Sequence, residues 1–559
     1  MKRVSKLALS CLLVPALLAA CSSKETNEKA PEPGQSSSPS ASAGNESAKP
    51  VEISMVREKS GVIKFRSGET MDKNTVSDAY EKELGIKIKN LWVADSSQYQ
   101  QKLQMSISSN DIPDLMFVNA DQFQQLIEAD MLMDLNGVYE KTASPETKAY
   151  LTSDGGMQMD SAKQGGKLLA IPATNSPYNA ASHIWIRKDW LDKLGLQQPK
   201  TMQDLLKITE AFTKQDPGGT GKSYGLPLTK NVFIDAASDA FAITGFFNGF
   251  HAYPGQWVKD TSGKLVYGSV QPEMKAALKQ LQEMYKAGQI DPEFAVKDMV
   301  KENELVASNK IGVAYGPFWL SVYPLQDGAV KDGKVVQNWV PYPIVSVDDK
   351  PAMTQAELGV DGYWVVSKKA KNPEAVIKLL NKWVQVLTKP TDEDKKTYLL
   401  NTEEAQSYWL LNPIRVFSQD QNTRNGEVLP KAIQNKDQSL VQGDADQLDR
   451  YNKVMKYLGG DLSQWGEWGI SGPGGAFSIM SGYLKDKRFQ INGYTGAPGP
   501  VMTEKKPVLE TKMNEVYIKI IMNQLPIDEF DKFVEDWKKI GGDAMTEEVN
   551  KLYAKTGKK

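Results

Sequence analysis

Histidine and cysteine are nearly absent: a chain of 559 residues carries two of each. Both cysteines, Cys11 and Cys21, lie at the very start, so the long remainder can form neither a disulfide nor a thiolate metal site. His183 and His251 are far apart in sequence, and no H-E-x-x-H, C-x-x-C or G-x-S-x-G string occurs. The common zinc, redox and serine-nucleophile chemistries are therefore unsupported. A surplus of one charge is also missing, because 67 Lys and Arg face 69 Asp and Glu for a net charge of -2. Nothing in that balance attracts a polyanion, and nucleic acid is not expected as a partner.

What is present at the start is a secretion signal. Lys2, Arg3 and Lys6 form a basic stretch, and Leu7 to Leu17 form an apolar one. That stretch falls short of the roughly 20 apolar residues that span a bilayer. It runs into Leu18-Ala19-Ala20-Cys21, which resembles the lipobox of bacterial lipoproteins. The resemblance implies removal of residues 1–20 and a diacylglyceryl group on Cys21, holding the protein on the outer face of the cell membrane. From Ser22 to Pro50 no large apolar side chain occurs, so residues 21–50 are read as a lipidated, disordered tether, stiffened by Pro31, Pro33 and Pro39. Asn45-Glu46-Ser47 fits a glycosylation sequon by chance.

Beyond Pro50 the composition is that of a globular protein of about 500 residues, more than one core normally supports, so two lobes are expected. Val51 to Val56 alternates as a half-buried strand, Val76 to Leu84 is helical up to Gly85, and Ile86 to Val93 and Asp114 to Asn119 read as further strands. Strand, helix, strand in that order argues for parallel pairing. Thr201-Met202-Gln203-Asp204 matches a capping box; Pro272 and Asn372-Pro373 start two further helices with apolar stripes.

Several short strings then fall in a recognisable order: Asp111-Ile112-Pro113-Asp114-Leu115, Asp134-Leu135, Gly166 to Pro172, Trp185 to Leu194, Asp291-Pro292-Glu293, Gly316-Pro317-Phe318-Trp319, and Ile527 to Asn550. Together they resemble the family 1 extracellular solute-binding proteins, in particular the long lipoproteins of Gram-positive bacteria. The resemblance implies an α/β, two-lobed periplasmic-binding-protein-like (type II) fold with a ligand cleft between the lobes. It divides the chain into lobe 1 at 51–178 and 341–366, and lobe 2 at 179–340 and 367–559. The second crossing is expected near Pro341 and the last near Val365 to Ser367. The implied function is capture of a carbohydrate, most simply an oligosaccharide, and its delivery to the permease of an ABC importer, by a monomer without cofactor and without enzymatic activity.

A sugar offers apolar C–H faces and a rim of hydroxyls, which call for aromatic platforms and hydrogen-bonding side chains. Trp319 and Phe318 lead the candidates because the family sets the aromatics of this Gly-Pro turn in the cleft. Trp465 and Trp468 follow, in a glycine-rich stretch, then Trp257, Tyr178 and Tyr363. Asn175 and Asp361 are the polar candidates. Trp185, Trp190, Trp383 and Trp537 lie on strand or helix patterns and read as core.

Two other features are set aside. Asp216 to Ser223 almost spells a phosphate loop but follows a helix and lacks the first glycine. Relatives carry a calcium loop there, yet only Asp216 and Thr220 offer side-chain oxygens at useful positions, and Pro227 stands where a bidentate Glu belongs, so no metal is expected. Glu467, between Trp465 and Trp468, is the carboxylate a surface glycosidase would use, but no partner is apparent. A binder of peptides or another non-sugar solute is the other alternative. If Cys21 is the anchor, Cys21→Ala should release the protein from the membrane or leave it unprocessed. Detergent fractionation checks this, and a correctly processed mutant that still partitions with membranes would contradict the assignment.

Overall fold

The chain was analysed as a computed structural model that describes residues 50–233, 239–402, 404–494, 496 and 498–555. Cys21, the signal segment and the tether lie outside the described residues. The strands that position the site are, in chain order, β1 (Val51–Lys59), β2 (Ile86–Asp95), β3 (Leu115–Val118), β4 (Ala170–Thr174), β5 (His183–Arg187), β6 (Val313–Gly316), β7 (Trp339–Tyr342), β8 (Thr354–Ala356), β9 (Val360–Val366) and β10 (Phe489–Ile491).

Local chemistry sets the first units. Asn74 caps the helix Thr75–Leu84 through a reciprocal box with Ser77, and Gly85 ends it in the left-handed conformation at φ 64. The chain then turns directly into β2, which pairs in parallel with β1 from Val51↔Ile86 onwards. β3 also runs parallel to β1, and β9 and β4 complete the sheet in the order β2-β1-β3-β9-β4, with β9 antiparallel to both neighbours. The parallel pairing expected from the sequence thus holds for the first three strands. The second lobe is different: β6-β5-β7 is an antiparallel sheet, joined by the short parallel pair β8-β10 and by many helices.

Each sheet has its own hydrophobic core. One gathers Ile53, Leu115, Phe123, Ile171 and Trp364. The other gathers Ile184, Phe246, Leu278, Tyr517 and Trp537. Their membership corrects the lobe boundaries. The helix Pro373–Thr388 buries Val376, Leu380 and Trp383 in the first core, and that core continues to Val416, so residues 367–416 belong to lobe 1, not lobe 2. Ile344, Val345 and Ala352 pack in the second core, so the return crossing lies after Ala356 rather than near Pro341. The last crossing is then at 417–420. An apolar stripe announces that a helix is buried; it does not say against which sheet.

One buried acid in the second lobe has a consequence for stability. Glu302, in the helix Met299–Ala307, is 0 % exposed, and burial with the nearby Asp291 carboxylate pushes its carboxyl up to about 8 against the pull of Lys297. A carboxyl that holds its proton more tightly when folded favours the folded state most at low pH. That contribution is lost as pH rises from about 4.5, the unfolded value, through about 8. Glu302→Gln should therefore raise stability at pH 8, on the order of 4 kcal/mol, and leave it nearly unchanged at pH 4.5. Thermal melts across that window measure this; an equal shift at both ends would show that Glu302 is not the titrating group.

Candidate functional site

The two lobes meet at three crossings, 175–181, 357–359 and 417–420, and these are bound to one another. Phe417 N donates to the Thr174 carbonyl at 2.8 Å, Thr174 Oγ1 donates back to the Phe417 carbonyl at 2.9 Å, and Asn175 N donates to the Gly359 carbonyl at 2.7 Å. Gln158, from the short helix Met157–Ser161 and 1 % exposed, sits at their centre. Its Nε2 reaches the carbonyls of Asn175, Leu358 and Gly359 at 3.0, 2.8 and 2.9 Å, and its Oε1 accepts from Gln419 Nε2 at 3.0 Å. One amide therefore touches all three crossings. Gly359 must be glycine: its φ is 72, and a Cβ would stand 2.5 Å from the Asn175 carbonyl oxygen. Gln158 left no signal in the sequence, because an isolated Gln in an unpatterned stretch has none.

A chain of polar side chains runs along the same junction. Asn422 Nδ2 donates to Asn179 Oδ1 at 2.7 Å, Asn179 Nδ2 to Asn175 Oδ1 at 3.0 Å, and Asn175 Nδ2 to Asp361 Oδ2 at 2.9 Å. The two polar candidates, Asn175 and Asp361, are thus brought together. Asp361 is exposed, yet desolvation by the surrounding protein lifts its carboxyl above the usual range, against the Asn175 bond and the Arg415 charge.

A small recess of about 60 Å³ lies beside them at the carboxyl end of β1, bounded by Arg57, Glu58, Tyr99, Phe117, Trp364 and Arg415. It stands where the sheet order reverses, between β1 and β3, the position at which open α/β sheets take ligands. Arg57 and Arg415 each donate to the Leu410 carbonyl, at 2.9 and 2.6 Å. The Arg415 guanidinium lies 5.6 Å from the Trp364 ring centre and 5.7 Å from that of Trp409, a ring 37 % exposed. Sequence reasoning passed over Trp409, Arg57 and Arg415, since none sits in a motif.

The aromatic candidates divide. The turn Pro317–Trp319 leaves β6 where Gly316 pairs with His183, at the start of lobe 2, and both Phe318 and Trp319 are half-buried. Phe318 lies 5.1 Å from Phe477. The helix Trp465–Ser471 presses on that turn so closely that a Cβ on Gly466 would meet the Ser321 carbonyl oxygen at 2.7 Å, and its Trp468 is half-buried against Tyr457. Trp465 and Trp257, each 2 % exposed, are core side chains instead, and Tyr363, 4 % exposed, is stacked on Phe123 at 4.3 Å. Those three offer no face to a ligand. Tyr178 stays half-buried, 4.4 Å from Phe489, on a cavity of about 320 Å³ that also touches Gln158, Leu358 and Gln419. A wider polar gap of about 560 Å³ separates Asn119 and Gln122 of lobe 1 from Pro498 and Thr503 of lobe 2. Glu467 is held by Arg450 Nη1 at 2.9 and 3.2 Å and by Ser471, and so is a structural ion pair.

Two α/β lobes joined by stitched crossings, with amides, a carboxylate and the half-buried Tyr178 ring at their junction, define the two-lobed fold of a solute-binding protein. Residues 66–391, more than half of the chain, match the bacterial extracellular solute-binding protein family, and the chain belongs to it. It is 25% identical over 506 residues to lipoprotein LipO of Bacillus subtilis (strain 168), covering 86% of this chain and 89% of LipO. Among solved structures, a human-milk-oligosaccharide (HMO) binding, ABC-transporter-associated protein of Bifidobacterium longum infantis superposes with a TM-score of 0.62 at 16% identity, covering 92% and 100% of the two chains. FusA of Streptococcus pneumoniae, in complex with kestose, gives 0.59 at 17% identity, covering 90% and 99%.

The loop from Asp216 to Ser223 is closed by protein donors. Ser223 Oγ and Gly221 N donate to the Asp216 carboxylate at 2.5 and 2.8 Å, and these bonds, that from Ser223 foremost, hold its carboxyl below the usual range. Lys193 Nζ donates to the Pro217 carbonyl at 2.8 Å, and Asn309 Nδ2 to that of Gly218 at 2.9 Å. The oxygens a calcium ion would need are thus committed, one of them to an ammonium group, and the residues do not fit that ion. Among the described residues no group of three or more His, Cys, Asp or Glu is placed to hold a metal. Chelator should leave the melting temperature unchanged, and added calcium should not raise it; a sharp fall in EDTA reversed by calcium alone would contradict this.

Proposed function

We propose that the protein captures an oligosaccharide in the cleft between its lobes and delivers it to the permease of an ABC importer, from a lipid anchor on Cys21 at the outer face of the cell membrane. The observation that carries the reading is the run Asn422, Asn179, Asn175, Asp361 across the crossings, beside the half-buried Tyr178 ring, and in this reading the half-buried Trp319 and Trp468 of lobe 2 supply further ring faces. Amides and a carboxylate match a rim of hydroxyls, and rings match the C–H faces of a sugar. Membership of a family of binding proteins supports a binder rather than an enzyme, as does the engagement of Glu467 by Arg450. FusA, whose structure holds kestose, supports an oligosaccharide as the ligand.

A ligand that touches both lobes favours the closed arrangement by its differential affinity. Small-angle scattering should show the protein contracting when its sugar is added. Trp319→Ala should weaken binding by about 2 kcal/mol, roughly thirtyfold, by analogy with aromatic anchors at interfaces. Calorimetry and a parallel melt measure both effects. A mutant that binds as tightly as wild type would remove Trp319 from the site, and one that unfolds would return it to the core.

A further inference from the structure

The electrostatics of the recess at the end of β1 narrow the ligand further. Arg57 is 8 % exposed and Arg415 is half-buried, and among the described residues neither has a carboxylate within ion-pair distance. Both spend a hydrogen bond on one acceptor, the carbonyl of Leu410. Two cations on one carbonyl repel each other, and burial with that repulsion draws Arg57 down to about 10. Glu58 and Asp361 attract Arg415 only from beyond ion-pair distance, and taking a charge out of water without a contacting partner is costly.

The same chain handles a purely structural buried arginine differently. Arg187, 2 % exposed, holds the Asp189 carboxylate in a two-pronged contact at 2.9 and 2.6 Å and Asn309 at 2.5 Å. Arg450 likewise has Asp446 and Glu467. Arg488, half-buried, also bonds only to carbonyls, those of Ala352 and Ile344, but as a lone cation; Arg57 and Arg415 instead crowd two cations on a single carbonyl, at the point of the sheet where a ligand is expected.

We infer that the bound oligosaccharide carries a carboxylate, and that Arg57 and Arg415 grip the carboxyl group of a hexuronate unit whose ring face lies on Trp409. The inference rests on the reading of the cleft as an oligosaccharide site. The recess has room on the order of two waters, enough for the two oxygens of a carboxylate and too little for a sugar ring. A guanidinium fork matches a planar carboxylate, and paired forks match it better than any hydroxyl. Trp409 shows 37 % of its surface beside Arg415, braced on Phe417 at 5.7 Å, so a ring can lie on it while its carboxylate enters the recess. Trp364 Nε1 donates to the Arg415 carbonyl at 2.8 Å and fixes the backbone that presents this guanidinium. Glu58 and Asp361, exposed at the rim and beyond ion-pair reach of either arginine, are placed to accept sugar hydroxyls.

Calorimetry on the full mature chain with uronate oligosaccharides of defined length, and with the same oligosaccharides after reduction of their carboxyl groups, tests this. Wild type should bind at least one uronate series ten times or more tighter than its reduced form, with an affinity that falls as salt rises. Arg415→Gln should erase that preference while still binding the reduced form, and Arg415→Lys should restore part of it; melts confirm that both variants fold. Equal affinity of wild type for acidic and reduced forms, preference for neutral sugars, or an Arg415→Gln variant that keeps its preference overturns the inference and leaves the oligosaccharide reading intact. Failure to bind any oligosaccharide, acidic or neutral, removes that reading and the inference with it.

Discussion

A strand that passes from one core to another leaves its ladder where the lobes part, and its backbone N–H and C=O groups must find partners there. An unpaired buried group would cost as much as a lost hydrogen bond. In this protein the Gln158 amide meets that constraint for three crossings at once, with the carbonyls of Asn175, Leu358 and Gly359 on its nitrogen and Gln419 on its oxygen. The consequence reaches beyond the junction. With backbone carbonyls taken up by Gln158, the side chains of Asn175 and Asp361 are bonded to each other, close to the recess at the end of β1. The cleft's polar character follows from how the crossings are tied.

This explains what the sequence could and could not disclose. Elements with local causes were legible: the helix that ends at Gly85, the box at Thr201, the proline starts at Pro272 and Pro373, and the strands that flank them. Their assignment to lobes was not. The stripe of Val376, Leu380 and Trp383 has the period of a buried helix whichever sheet it covers, and its lobe is decided by β9 next to it and by the Trp383 bond to the Val416 carbonyl. The crossings were displaced for the same reason, since Pro341 lies in a strand of the second lobe and Val365 in one of the first.

The aromatic residues show a related limit. Trp257 lies in a strand, Trp465 in a helix, and both point into cores, while Trp468 stands one helical turn on from Trp465 and is half-buried. Composition counts rings; only packing decides which face of each is left open. Asn175 was accessible because a polar run follows an apolar strand, whereas Asn179 and Asn422 become significant only when the chain that joins them to Asp361 is seen. Arg57 was hidden in a strand that reads as alternating and buried, with a cation at a position where an apolar residue is the default.

The lobes contribute unlike chemistry to the junction. Lobe 1 brings fixed charge and acceptors: Arg57, Arg415, Glu58 and Asp361 all stand at the ends of its strands or just before its last crossing. In the proposed site, lobe 2 supplies rings at Phe318, Trp319 and Trp468, on a turn and a helix packed hard together. A charged or hydroxyl group engaged by lobe 1 alone would bind without changing the balance of open and closed forms, and so would a ring face engaged by lobe 2 alone. Only a ligand long enough to present polar groups to one lobe and C–H faces to the other gains from their approach. In the oligosaccharide reading, that division of labour makes chain length a determinant of closure, because a short sugar that fills one half of the site cannot reach the other.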